Sequence, residues 1–247
     1  MTMGKVYITG DKHGDYDEVA LWCSERGTTK DDLLIVLGDN GVNYYGEHKD
    51  KRLKEYLEEI PITFFMIKGN HDQRPSRKLY HIAPEDAHPL LCGTCLVEDD
   101  YPSLLFSAMY GGYQFRLENG IWRKAFVLGG AYSVDKWYRL DMQASGYKNY
   151  RWFADEQMTS YEMREADEMM DSFGPDIILS HTCPERYIPS DLLLRGIDQN
   201  MVDRTMERWM DRVEQSISYE KWYCGHWHTD RSVYGMRFMF HDIIELE

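Results

Sequence analysis

The sequence predicts an α/β domain, and two patterns carry that expectation. In the first third of the 247-residue chain, short apolar runs alternate with amphipathic helical segments. Strand alternating with helix implies parallel pairing with right-handed crossovers. Several of those runs also stop at a metal-type ligand, and sites in open α/β sheets form beyond the carboxyl ends of the strands. No repeat, low-complexity tract or Pro/Ser-rich linker divides the chain, so residues 1–247 read as one domain.

The elements follow in order. Lys5 to Thr9 reads as a buried strand, and a helix from about Asp15 places Tyr16, Val19 and Cys23 on one face. Leu33 to Leu37 is a continuous apolar run, as a strand covered on both faces would be. Leu53, Tyr56, Leu57 and Ile60 mark a second helix that Pro61 ends, and Ile62 to Ile67 is a third strand. Residues 80 to 130 hold short β-like pieces (Cys95 to Val97, Ser103 to Met109, Ala125 to Leu128) broken by Pro and Gly pairs. The aromatic stretch around 131–153 lacks a clean period and reads as a long loop or lid. Ala166, Met169, Met170 and Phe173 form a helical stripe, and Ile177 to Leu179 another strand. Val202, Met206, Trp209 and Val213 predict a further helix, Trp222 to Cys224 a strand, and Arg231 to Ile244 a closing hairpin.

Composition limits the function classes. Lys plus Arg number 28 against 42 Asp plus Glu, a net charge of −14 that repels polyanions and disfavours long nucleic acids as partners. No apolar run reaches the length of a membrane span, and the first residues lack a basic-then-apolar leader, so a cytoplasmic protein is expected. No segment marks a protein partner. Five scattered cysteines in a chain of this size need not be staples, and Cys92-Gly-Thr-Cys95 reads as two ordinary thiols.

The chemistry gathers at the strand ends. Asp11-Lys12-His13, Gly38-Asp39, Gly69-Asn70-His71-Asp72, Ser180-His181 and Gly225-His226-Trp227-His228 each follow an apolar run at once. A lone D-x-H or G-D is noise, and a lone His at a strand end is usually a hydrogen-bonded rim residue. Five such elements in one order, holding five of the nine histidines, point instead to a metal site. Imidazoles and carboxylates without a thiolate suit manganese, iron or zinc in a catalytic centre. The glycines let the backbone turn sharply and approach the site. Taken alone, Asp72 could simply cap a helix.

In this order the motifs resemble the calcineurin-like metallophosphoesterases, whose pattern is D-x-H, G-D, G-N-H-[D/E], a separate H, then G-H-x-H. The resemblance runs from Asp11 to His228 and implies a four-layer α/β/β/α sandwich with two mixed sheets. It implies that Asp11, His13 and His228 hold one divalent transition-metal ion, that Asn70, His181 and His226 hold a second, and that Asp39 bridges both. Two cations roughly 3.5–4 Å apart would acidify a bridging water and neutralise the phosphoryl oxygens during in-line attack. His71, which follows a ligand but points elsewhere in the family's pattern, would be the general acid for the leaving group.

The expected activity is hydrolysis of a small or nucleotide-like phosphate ester, with manganese the first expected metal. A protein Ser/Thr phosphatase is the less expected branch, because Val42 stands where that branch has an Asp and Asn43 where it has an Arg. A nuclease is disfavoured by the charge. A non-catalytic metal-binding scaffold need not keep all seven ligands and His71. Arg74, Lys136 and Arg139 are candidate phosphate clamps, though each reads more readily as a surface charge. Tyr132, Trp137, Tyr138, Tyr147, Tyr150, Trp152 and Phe153 could stack a nucleobase, though packing of the lid explains them more simply.

Overall fold

The apolar runs of the first third each become a wholly buried strand. A computed structural model describes residues 4–147 and 149–247 of the chain. Strand β1 (Val6–Thr9), helix α1 (Asp17–Arg26), strand β2 (Leu33–Val36), helix α2 (Glu47–Glu59) and strand β3 (Thr63–Met66) follow one another as the periodicity predicts. The three strands pair in parallel, with Ile8 opposite Ile35 and Ile35 opposite Phe65. Their alternate side chains serve two cores. Leu34, Val36, Phe64 and Met66 pack outward against Val19 and Cys23 of α1 and Leu57 of α2. Ile8, Ile35 and Phe65 point the other way, into the interior.

The middle of the chain is more regular than its sequence suggests. It contributes β4 (His81–Ile82), β5 (Leu91–Cys92), β6 (Leu96–Glu98), β7 (Tyr101–Phe106), β8 (Tyr110–Arg116) and β9 (Trp122–Leu128). The strand β8 is one that sequence reading did not anticipate, because Gly111-Gly112 looks like a break. The second of these glycines instead allows a close approach: a Cβ there would lie 2.8 Å from the Phe173 ring. Residues 131–153 are not simply a loop, since α3 (Lys136–Ala144) forms within them. That helix buries none of its residues fully. Lys148 lies outside the described residues.

Helix α4 (Ser160–Phe173) opens with a capping box between Thr159 and Glu162 and ends at Gly174 in the left-handed region. Its buried face is Met163, Ala166 and Met170, while Met169 is exposed. Then come β10 (Ile177–Ser180), α5 (Thr205–Ser216), β11 (Lys221–Cys224), β12 (Arg231–Val233), β13 (Met236–Phe238) and β14 (Ile244–Glu245). Val202 lies before α5 and not on it. The expected closing hairpin is real only for β12 and β13. After it the chain crosses over, and β14 pairs antiparallel with β1.

Two mixed seven-stranded sheets result, in the orders β14-β1-β2-β3-β7-β6-β4 and β12-β13-β11-β10-β9-β8-β5. Between them Ile8, Ile35 and Phe65 meet Phe115, Val127 and Leu179. On the outer face of the second sheet, Phe126, Ile178 and Trp222 pack against Met170 of α4 and Met206, Trp209 and Val213 of α5. The layers are therefore helix, sheet, sheet, helix, as expected. Among the described residues no helix is long and apolar enough to cross a membrane.

Candidate metal centre

The parallel strands β1, β2 and β3 of one sheet and β10 and β11 of the other end side by side, and every predicted ligand lies just past one of those ends. The connecting backbone turns hard. His13, Asp39, His226 and His228 all have positive φ, between 44° and 66°. Non-glycine residues rarely occupy this left-handed region, and strain of this kind concentrates at functional sites. Neighbouring glycines make the approach possible. A Cβ on Gly38 would meet His181 Nδ1 at 2.2 Å, one on Gly69 would meet Asp39 Oδ1 at 2.1 Å, and one on Gly225 would meet Asp11 Oδ1 at 2.3 Å.

Two side-chain groups come together. Asp11, His13 and His228 each offer a ligand atom within 4.8 Å of the others, as do Asp11, Asp39 and His181. His228 Nε2 is 3.2 Å from Asp11 Oδ2 and 3.0 Å from His13 Nε2. Asp39 spans the cluster, with Oδ2 3.9 Å from His13 Nε2 and Oδ1 3.5 Å from His181 Nε2. Asn70 joins through Oδ1, 2.8 Å from His181 Nε2, while its amide nitrogen donates to Ser133 Oγ. His226 stands further out, its ring centroid 5.0 Å from that of His181 and its backbone N–H donating to Asp11 Oδ1. Asp11, and not Asp39, is the residue the two groups share.

The donor chemistry fits cations. Asp11 and Asp39 are almost fully buried, and Asp11 Oδ2 has no hydrogen-bond partner among the described residues. His181 Nδ1 lies 2.7 Å from the carbonyl of Leu37, which accepts its proton, and Nε2 faces Asn70 Oδ1 at 2.8 Å. Burial alone would raise the pKa of Asp39, but the His71, His181 and His13 imidazoles outweigh it and hold the carboxyl well below its usual range. Asp11 is likewise held low, with burial opposed by His181 and by the His228 ring beside it. Burial, reinforced by His181, pushes His226 down to about 3, so this ring is neutral as a metal ligand must be.

His71 belongs to neither group. Its Nε2 is 3.8 Å from Asp39 Oδ2, its ring lies 5.6 Å from that of His13, and it faces the cavity beside the centre. Burial lowers its pKa against the pull of Asp39, and Arg139 adds to the lowering. Its imidazolium is therefore a stronger proton donor, but a scarcer one at neutral pH.

Asp72 is the functional residue that sequence reading undervalued. No helix begins there. Its buried carboxylate instead accepts from the backbone N–H groups of Asn40 (3.1 Å), Gly41 (3.2 Å) and Gly69 (2.9 Å), and from the Asn40 side chain (2.9 Å). One side chain thus pins the loop that carries Asp39 to the loop that carries Asn70 and His71. Its signal in the sequence was its place in the G-N-H-[D/E] motif, directly after His71.

The candidate clamps are committed elsewhere. Arg74 pairs with Glu162 at 2.6 Å, and Arg139 with Asp135 at 2.7 Å and the Tyr44 hydroxyl at 2.5 Å. Lys136 sits over the Trp152 ring at 4.3 Å. None of the three lines the cavity at the centre. Of the seven aromatic residues, only Tyr132 lines it. Phe153 is buried against Tyr44, and Trp137, Tyr138 and Tyr147 are exposed. Val42 is buried in the core with Leu57 of α2, and Asn43 donates to the Tyr80 hydroxyl. Cys92 and Cys95 are free thiols, the latter pushed up to about 12 by burial.

The model of the calcineurin-like phosphoesterase family matches residues 4–230. Among solved structures, the chain is similar to a phosphopantetheinyl hydrolase from Mycobacterium tuberculosis, at 13% identity and a TM-score of 0.41, covering 97% of this chain and 89% of that one. No curated protein matches the sequence.

Replacing Asp72 with Asn puts an amide nitrogen where backbone N–H groups donate, leaving at least one buried donor unpaired. Stability should fall by about 1–3 kcal/mol, and metal affinity should fall with it as the two ligand loops separate. Chemical denaturation and a metal titration check both. Unchanged values would show that Asp72 positions nothing.

Proposed function

The chain belongs to the calcineurin-like phosphoesterase family, and on that premise we propose that it hydrolyses small phosphate esters with two divalent transition-metal ions, manganese first among them. The observation that carries this reading is the pair of buried carboxylates, Asp11 and Asp39, ringed by imidazoles, with Asp11 Oδ2 unpartnered. Asp11, His13 and His228 would hold one ion, and Asn70, His181 and His226 the other, with Asp39 reaching both. Bound there, the ions supply Lewis-acid polarisation of the phosphoryl group and acidify water.

The protein's own groups do the rest. Asp39 is fixed by the backbone N–H of His71, 2.8 Å from Oδ1, so ligand and neighbouring histidine move as one unit. The Nδ1 contact of His181 to Leu37 fixes its ring, and Ser133 fixes the Asn70 amide. His71, outside both groups and facing the cavity, gives a proton to the leaving oxygen. The acidic charge and the occupied positions 42 and 43 favour small esters over nucleic acids and phosphoproteins.

Manganese-loaded protein should hydrolyse a chromogenic aryl phosphate, and both a chelator and Asp39→Asn should abolish turnover. Folded, metal-loaded protein inert towards monoesters and diesters alike would leave a binding scaffold as the better reading.

His71→Asn should lower kcat on alkyl esters by roughly 10²–10⁴-fold, the range for loss of a general acid. The loss on an activated aryl ester should be much smaller, because its phenolate leaves without a proton. Metal content should stay at the wild-type level. Equal losses on both ester types, or loss of an ion, would make His71 a ligand or a structural residue.

A further inference from the structure

The candidate centre opens into a cavity of about 400 Å³. Asp39, Asn70, His71, His226 and His228 form one side of it, so whatever fills the cavity also touches the metal-binding face. The facing side comes from the segment between β10 and α5, which folds as short 3-10 turns. It presents Ile188, Leu192, Leu193, Leu194, Ile197 and Val202. Leu192 and Leu194 are 39% and 59% exposed, so these leucines are left outside the core. Trp227, between two predicted ligands, also lines the cavity.

Most of the polar side chains on these walls are already engaged. Gln199 accepts from Arg204 at 2.8 Å and donates to the carbonyl of Ile197 at 3.3 Å. Arg204 also lies 3.8 Å from Glu185, Asp135 holds Arg139, and Ser133 accepts from Asn70. Glu207 accepts from Thr182, and its second oxygen, though unpartnered, is enclosed and out of reach of solvent. Away from the metal ligands, the side chains of Gln199, Arg204, Ser133 and Glu207 are thus held by neighbours, and the Tyr132 hydroxyl on these walls has no partner among the described residues. The walls offer aliphatic surface, and burying aliphatic surface is favourable without any partner for hydrogen bonds.

We infer that this cavity holds the organic part of the substrate, and that the substrate class is the phosphate ester of an aliphatic, weakly polar alcohol. The inference rests on the phosphoester reading above for the position of the phosphoryl group, and it adds what the ester carries. The phosphoryl group lies against the histidine and aspartate side, and the carbon chain lies along Leu192, Leu194 and Ile197. A nucleotide would set a polar base against Leu192, Leu194 and Ile197, whose side chains offer it no hydrogen-bond partner.

Calorimetric binding of n-alkyl phosphonates, from ethyl to octyl, to manganese-loaded protein tests this without needing turnover. Kd should fall roughly fourfold per added methylene until the cavity is full, and hexyl phosphonate should bind more tightly than adenosine monophosphate. Leu194→Ser and Leu192→Ser, each at an exposed position and made singly, should flatten that slope. A Kd independent of chain length, tighter binding of the nucleotide, or an unchanged slope in both variants would overturn the inference. A chain-length slope in binding with no hydrolysis of the matching alkyl phosphates would uphold the cavity assignment and overturn the hydrolase reading instead.

Discussion

Two carboxylates held out of water at the seam of two sheets are the constraint on which the rest depends. Asp11 and Asp39 are 2% and 1% exposed. Burying one such charge without compensation costs several kcal/mol, so the fold has to answer it. Backbone N–H groups answer in part: His226 donates to Asp11 and His71 to Asp39. Imidazoles supply more, but the burial that keeps His226 neutral stops it from supplying charge. What would complete the neutralisation is a cation among donors that keep their lone pairs. The same requirement explains why carboxylates and histidines arrive together, from five strand ends.

The local backbone is bent to that purpose. Four of the eight predicted site residues adopt a conformation that non-glycine residues seldom hold, and three glycines sit where any Cβ would strike a site atom or the loop beside it. Such a site persists only if its loops are tied down. Asp72 does this for two of them, with four N–H groups converging on one carboxylate. The loop of Asp11 is tied separately, since the backbone N–H groups of Lys12 and His13 both donate to the carbonyl of Asp39. The Lys12 ammonium reaches across to the carbonyl of Phe240, fastening the C-terminal stretch to the same corner.

Much of this was legible in the sequence, for a physical reason. Strands buried on both faces read as unbroken apolar runs, so β1, β2 and β10 announced themselves and the residues that follow them stood out. The centre's donors were visible because aspartate, asparagine and histidine rarely recur at strand ends in that order. Elements without such a signature went unseen. The helix α3 adds no buried residue to a core and lies within an aromatic stretch, and β8 hides behind a glycine pair whose use lies in packing against Phe173. The wall at Leu192 to Val202 carries its apolar residues on irregular turns, where spacing says nothing about which side they face. Arg74 and Arg139 looked available because their partners, Glu162 and Asp135, are assigned only by tertiary contact or by a helix that the sequence did not reveal.

The measurement that bears most directly on this account is the metal content of the folded protein. Elemental analysis after loading with manganese and removal of loosely bound ions should give two ions per chain, and one or none when Asp39 is replaced by Asn. Intact wild-type protein that takes up at most one ion under metal-replete conditions would contradict the account at its centre. The two buried carboxylates would then need another source of neutralising charge.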